Sequence, residues 1–357
     1  MTLPAATDVL IVGGGLAGLR LADMLAAAGR DFHLIEARDR FGGRVLGHTV
    51  SDAAFDLGPA WFWPGQPRMA ALADRFGLAV FDQYATGAFR YEDAQGRIQQ
   101  GHGAGSMQGS LRLAGGLSTL CDALADSIPQ AQRHLGAQLR SVSRSQSGIT
   151  ATLAQGRRLQ ANRIVCALPP RIAANIAFSP PLPAPAAQAL AAIPTWMAGH
   201  AKAVAVYNTP FWRAQGLSGD AMSQRGPMVE IHDASPADAQ KGALFGFIGV
   251  PPAQRRDAKA LKDAVHAQFV RLFGEKAAHP VAIKIKDWAF DAATATPDDH
   301  APLNAHPRYG MPPALRDVWD GAVLFGGTET AHDFGGFLEG ALEAAENTFA
   351  ALSQTAA

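Results

Sequence analysis

Three sets of residues in this 357-residue chain could do chemistry by type and spacing. The first is Gly13, Gly15 and Gly18, a G-x-G-x-x-G pattern followed 18 residues later by Glu36. Such glycines permit a tight turn, close approach of a pyrophosphate to the backbone, and close packing of helix on strand. Leu16 and Ala17 stand where a helix would begin, and the unpaired N–H groups there would face the phosphates. A carboxylate at Glu36 would accept hydrogen bonds from a ribose diol. The second set follows directly: Ala37, Arg38, a second glycine turn at Gly42-Gly43, and Arg44. Arg44 would grip a pyrophosphate by bidentate, charge-assisted hydrogen bonds. The third is Lys202, which alternation places on one strand face with Val204 and Val206. A lysine among valines is unusual, because lysine is almost never buried without a partner.

These residues need particular elements to hold them. Residues 9–12 are a short apolar run that reads as a buried parallel strand, breaking at Gly13-Gly14-Gly15. Residues 16–28 carry a helical pattern stopped by Gly29, and residues 32–35 give a second strand that ends on Glu36. Strand, glycine turn, helix, strand and acid agree, which a bare glycine pattern would not. Residues 135–143, 148–153 and 158–160 read as a small β-meander, and residues 163–170 return as a buried strand ending Ala-Leu-Pro-Pro. A helix is expected from residue 112 to about 127. Strands at 201–207, 228–232, 244–250 and 281–287, with a helix at 259–273, describe an antiparallel layer with one covering helix. That helix has apolar or small residues at 261, 264, 265, 269 and 272. Glu230 and His232 share a strand face that points either into the pocket or out to solvent. The final helix begins at Gly335-Gly336 and runs to about residue 352.

The segment Glu36-Ala-Arg-Asp-Arg-Phe-Gly-Gly-Arg44 resembles the FAD fingerprint of the flavin-dependent amine oxidases, a group that includes monoamine, polyamine and L-amino-acid oxidases. The resemblance continues through Ala-Leu-Pro-Pro, through Lys202 ahead of Pro210-Phe211-Trp212, and through Gly326-Gly327-Thr-Glu329-Thr and Gly335-Gly336-Phe337-Leu338. It implies that Gly58, Pro59, Ala60 and Trp61 run along a flavin and that the backbone near Leu139 touches the adenine. It implies that Lys202 holds a water against flavin N5 and that Trp288 lines the pocket. Gly327 and Glu329 would serve the ribityl or pyrophosphate side. Gly336, Phe337 and Leu338 would meet the flavin N1/C2 edge, where a helix dipole stabilises negative charge. Phe337 takes the position of an aromatic cage residue. Some relatives carry a flavin-linking cysteine and a tyrosine after the tryptophan, where this chain has Thr296, Pro297 and Asp298. Non-covalent FAD follows, with one wall of the cage missing.

The expected fold is α/β, α+β in part: a two-domain flavoprotein with a Rossmann-like FAD-binding domain and a small antiparallel-sheet substrate domain. Residues 1–80, 110–195 and 292–357 are assigned to the first, residues 81–109 and 196–291 to the second. Larger relatives carry a long helical insertion near residues 78–112. Here there is only a hairpin-like stretch and a loop with glycines at 101, 103, 105 and 109. The pocket is therefore expected to be open, or roofed by this loop or by a partner subunit in a homodimer.

Composition narrows the function further. Apolar residues make up 48% and the formal net charge is zero, so no basic field exists to hold nucleic acid or an anionic membrane. No apolar run reaches the length of a membrane span, and neither terminus reads as a leader or an anchor. Cys121 and Cys166 are too few for a disulfide framework, which points to a cytoplasmic protein. Cys166 reads as a core residue. The histidines lack ligand spacing, so no metal is expected. The expected activity is oxidation of an amine C–N bond to an imine, with hydride transfer to FAD and reduction of O2 to H2O2. A flavin-dependent C–C desaturase and an FAD-binding partner protein of little turnover are the alternatives.

Overall fold

The computed structural model describes residues 4–103, 105–146, 148–301, 303 and 305–354. Residues 1–3 and the end of the polar C-terminal tail lie outside them. Among the described residues two large sheets dominate. The first is built on Ala6–Val12, which pairs in parallel with Phe32–Ile35 on one side and Arg158–Cys166 on the other. All seven core positions of the strands at 9–12 and 32, 34 and 35 are buried, as a sheet covered on both faces requires. Helices Leu16–Ala27 and Leu338–Gln354 cover one face. Leu19, Leu21 and Leu25 of the first meet Leu342, Ala345 and Leu352 of the second in one core.

Arg158–Cys166 joins the two halves of this sheet. Its first part pairs antiparallel with Gly148–Leu153, and its last residues run parallel to Val323–Phe325. Sequence patterning splits this stretch into two strands, but alternation simply gives way to full burial at Ile164 as the strand enters the sheet interior. The helix expected from residue 112 starts later. Leu111–Leu113 is a strand, Gly115 and Gly116 both take positive φ, and the helix is Ser118–Ser127.

The second sheet runs in the order Ala282–Asp287, Ala201–Tyr207, Gly242–Ile248, Met228–Asp233, Leu217–Ser223, Ala88–Glu92 and Ile98–Gly101. It is antiparallel except where Leu217–Ser223 runs parallel to Ala88–Glu92. Helix Ala258–Phe273 covers one face with Leu261, Val265, Phe269 and Leu272, while Ala264 faces solvent. Beneath it lie Ala201, Ala203 and Ala205. The opposite register, Val204 and Val206, packs on Phe55, Leu57, Ala60 and Trp61. Every residue of Ala201–Tyr207 is buried for that reason, Lys202 included. No helix among the described residues is long and apolar enough to cross a membrane.

Candidate active site

The first glycine turn is fixed by sterics. Gly13 takes φ +108°, and a Cβ there would lie 2.6 Å from the Ala167 carbonyl oxygen. A Cβ on Gly18 would fall 1.9 Å from the Gly13 carbonyl oxygen, so Gly18 sets helix-on-strand packing and does not line the cavity. Gly15 differs: a Cβ there meets only the Gly43 Cα, at 3.9 Å. Glu36 is buried at the end of its strand. Its carboxylate accepts from the backbone N–H groups of Gly14 (2.7 Å) and Arg38 (2.9 Å).

Above this turn lies one cavity whose walls include Gly13, Gly15, Leu16, Ala17, Glu36, Arg38, Gly43 and Arg44. An adjoining recess shares Gly13, Glu36 and Arg38 with it and adds Ala37 and Leu139. A glycine-lined space at a helix N-terminus, a carboxylate where the two recesses meet and a guanidinium at the wall together suit a dinucleotide. Arg44 is a bidentate partner of Glu329 (2.6 and 3.3 Å), with 28% of its side chain left open. Burial works against the charge of Arg44, but the Glu329 carboxylate holds its pKa above the ordinary value. Glu329 is itself 0% exposed and does not line the cavity. In this geometry its carboxylate accepts from both terminal nitrogens of Arg44 and so orients that guanidinium at the wall. Arg38 has a similar anchor, reaching both Glu36 and Asp291.

The far part of the cavity is apolar. Gly58, Pro59, Ala60 and Trp61 line it, and so do Trp288, Gly327, Gly336, Phe337 and Leu338. The loop bearing Gly58 is pinned at two carbonyls: Leu57 accepts from Trp288 Nε1 (3.0 Å) and Gly58 from Lys202 Nζ (2.6 Å). Lys202 is 7% exposed, with Phe247 (5.1 Å) and Phe245 (5.5 Å) against its ammonium. Burial pushes its pKa down to about 8, against the opposing pull of the Asp56 carboxylate. Asp56, buried beside it, is pushed up to about 6 by the same loss of water.

Trp196 in the wall and His306 beside Phe337 carry no signal in the sequence. Trp196 is held by its backbone N–H, which donates to Tyr309 Oη (2.9 Å), and that hydroxyl donates in turn to the Pro194 carbonyl (2.8 Å). His306 stacks on Phe337 at 4.8 Å and edges against Trp196. Thr328 donates to the Phe337 carbonyl and accepts from Gly336 N–H, fixing the turn that presents Phe337. Met107, from the glycine-rich loop, lines the cavity and packs on the cluster containing Phe55 and Trp61. Its neighbour Ser106 ties the loop down by donating to Glu230 (2.6 Å).

His232 lies neither in the pocket nor in solvent. It is buried behind Trp61, edge-on at 5.2 Å, with Nδ1 on Asp220 and Nε2 on Glu230, each at 2.9 Å. Burial disfavours its charge, but the two carboxylates hold its pKa above the usual imidazole value. Cys166 is in the core, and neither it nor Cys121 lines the cavity.

Comparison with known proteins agrees with this geometry. The sequence model described as flavin containing amine oxidoreductase matches residues 16–105 and 102–352. The chain is 25% identical to the probable flavin-containing monoamine oxidase A of Dictyostelium discoideum, over 94% of this chain and 95% of that one. It is 27% identical to the putative flavin-containing monoamine oxidase AofH of Mycobacterium tuberculosis, over 97% and 96%. A solved wild-type putrescine oxidase bound to putrescine shares the fold, with a TM-score of 0.81 at 22% identity over 98% of this chain and 99% of that one. With the family match running almost from end to end, and a dinucleotide cradle opening onto an aromatic chamber, this chain belongs to the flavin containing amine oxidoreductases and its chemistry is FAD-dependent amine oxidation.

Proposed function

We propose that the site oxidises the C–N bond of a neutral amine held against the aromatic chamber, with Lys202, Trp288 and Phe337 as the residues that touch the reacting groups. Bound FAD would supply the acceptor for the hydride and the route by which its two electrons reach O2 as H2O2. The amine loses a hydride from carbon and a proton from nitrogen, and the resulting imine takes up water to give a carbonyl compound and an amine or ammonia. A substrate that enters deprotonated needs no general base. Trp61, Trp288 and Phe337 exclude water and limit the poses of the amine. Lys202 offers a polar N–H beside the aromatic groups Trp61, Phe247 and Trp288 of the wall, and a pKa near 8 leaves it part neutral at mildly alkaline pH. Cradle residues Gly13, Gly15, Arg38 and Arg44 would bind the dinucleotide, with Leu139 on its adenine side. Both cysteines lie off the cavity wall, which supports non-covalent binding. Met107 in the cavity wall supports a roof contributed by the chain's own glycine-rich loop.

The observation that carries this reading is Lys202, buried in the wall with its ammonium on the Gly58 carbonyl. The test is peroxide release and anaerobic flavin bleaching across an amine panel, for the native protein and Lys202→Met. Amine-dependent bleaching slowed about 100-fold or more in the variant is expected, the scale of losing one preorganised donor. Unchanged rates in the variant would remove Lys202 from the chemistry. Absence of bleaching by any amine would sink amine oxidation itself.

A further inference from the structure

We infer that Asp291 is a positioning residue that couples the dinucleotide cradle to the aromatic chamber, through Arg38 on one carboxylate oxygen and Lys286 on the other. The inference rests on the roles given above to Arg38 in the cradle and Trp288 in the chamber, and it adds two residues that line neither recess. Oδ1 of Asp291 accepts from the Arg38 guanidinium, and Oδ2 accepts from Lys286 Nζ at 2.6 Å. The two cations come from different sheets. Arg38 follows strand Phe32–Ile35 of the first, and Lys286 lies on strand Ala282–Asp287 of the second. Arg38 also reaches Glu36, so its guanidinium is divided between two acids. Lys286 sets its ammonium 4.7 Å from the centre of the Trp288 ring. The indole is thus held on its face by a cation and at Nε1 by the Leu57 carbonyl.

The carboxylate is held within the fold. The Asp291 side chain is 10% exposed, its backbone N–H donates to the Trp288 carbonyl, and Oδ1 also accepts from Ala293 N–H. The Asp291 carbonyl accepts from Thr294 and Ala295 N–H. Ala293 borders both recesses and Thr294 the main cavity, so the same turn supplies wall to both. Burial works against the carboxylate charge, but Lys286 and Arg38 outweigh it and hold the pKa below the ordinary value. Charge makes the two contacts interdependent. Lys286 stands directly across the strand pair from Lys202, where an unneutralised like charge is disfavoured. Asp291 neutralises it, and the share of the carboxylate taken by Lys286 is not available to Arg38. Without Lys286 the full charge falls on Arg38 and reduces the pull of its guanidinium on a pyrophosphate. Without Asp291, Lys286 loses its anchor over Trp288 and Arg38 loses one of its two acids.

A double-mutant cycle on the full chain tests this, with the FAD dissociation constant read by flavin fluorescence. Lys286 lines neither recess, yet Lys286→Met is expected to weaken FAD binding by about fivefold or more. Lys286→Arg, which keeps the charge, should stay within about twofold of native. In an Asp291→Asn background, Lys286→Met should shift the constant by less than about twofold. Arg38→Met serves as a second background with the same expectation, so an unfolded Asp291 variant leaves the cycle decidable. Equal effects of Lys286→Met in native and variant backgrounds, or no effect in the native one, would overturn the coupling. The chamber end is read on the FAD-loaded protein, by the shift of the flavin absorption bands on titration with uncharged 2-phenylethanol. Lys286→Met should weaken this binding by about fivefold, and Lys286→Arg should not. Equal or absent shifts in native protein and both variants overturn the inference. Arg38→Met with unchanged FAD affinity would overturn the cradle reading and the coupling with it. A weakened Arg38→Met beside an unaffected Lys286→Met would overturn the coupling alone. No amine enters these measurements, so a failure of amine oxidation is read separately.

Discussion

Lys202 Nζ donates to the Gly58 carbonyl at 2.6 Å, tying the buried strand of one sheet to the loop that borders the cofactor cavity. The bond joins residues 144 positions apart in the chain, and it makes Lys202 a fastening as well as a candidate catalytic group.

The protonation of Lys202 must then appear in the stability of the protein. Its folded pKa of about 8 lies below the ordinary lysine value of 10.5, so between these values the unfolded chain binds more protons than the folded one. Stability from this group is complete above about pH 10.5 and is lost as pH falls through 8. The full difference is about 3 kcal/mol. Thermal melts of the native protein and Lys202→Met from pH 7 to 10.5 should show the native protein gaining on the variant. Parallel curves would mean that Lys202 is not held as a buried cation.

Gly15 and Gly18 should separate cofactor binding from folding. Gly15 has extended backbone geometry and room for a methyl group on the protein side, in the wall of the cavity. Gly15→Ala should therefore leave the apoprotein melting within a few degrees of native while FAD affinity falls by about tenfold or more. Gly18→Ala drives a Cβ into the Gly13 carbonyl and should destabilise the apoprotein by about 3 kcal/mol, losing FAD as a consequence. Calorimetry of apoprotein with flavin fluorescence titration reads both quantities.

Much of this architecture is legible in the sequence where the signal is local. The turn at Gly13, the helix behind it and Glu36 lie within one strand–helix–strand unit, and Lys202 stands out because a lysine breaks a run of small apolar residues. What sequence reading misses is assembled over long separations. Arg44 and Glu329 are 285 residues apart, so each reads as a free ligand group until the fold pairs them. Trp196 becomes a wall through a tyrosine 113 positions away, from a loop with no periodicity. Strand Leu217–Ser223, with the sequence LSGDAMS, has weak intrinsic β preference and exists because Met228–Asp233 and Ala88–Glu92 flank it.

The Arg44–Glu329 pair should respond unequally to loss of its two members. Removing Arg44 strands a carboxylate with no exposure, so Arg44→Met should cost the apoprotein about 3–5 kcal/mol. Glu329→Gln keeps a hydrogen-bond acceptor beside a guanidinium that is partly open to the cavity. It should cost about 1–2 kcal/mol while still weakening FAD binding, because Arg44 loses its fixed orientation. Urea denaturation of the two apoproteins decides this. Equal losses would show that Glu329 is not the dependent partner.

His232 should make the roof sensitive to pH. Its pKa is raised by Asp220 and Glu230, so the stability it contributes is complete below the ordinary imidazole value of 6.5 and is lost as pH rises through the higher folded value. His232→Gln should cost about 2 kcal/mol at pH 6, from two charge-assisted hydrogen bonds, and progressively less under alkaline conditions. The effect should reach the cavity, because Glu230 is also the acceptor for Ser106, next to Met107. Hydrogen exchange read over residues 105–110 should therefore quicken in the variant at pH 6, while the helix Leu16–Ala27 stays protected. Unchanged exchange in the loop would mean that the roof is held by Met107 packing alone and that the histidine cluster serves only the sheet beneath it.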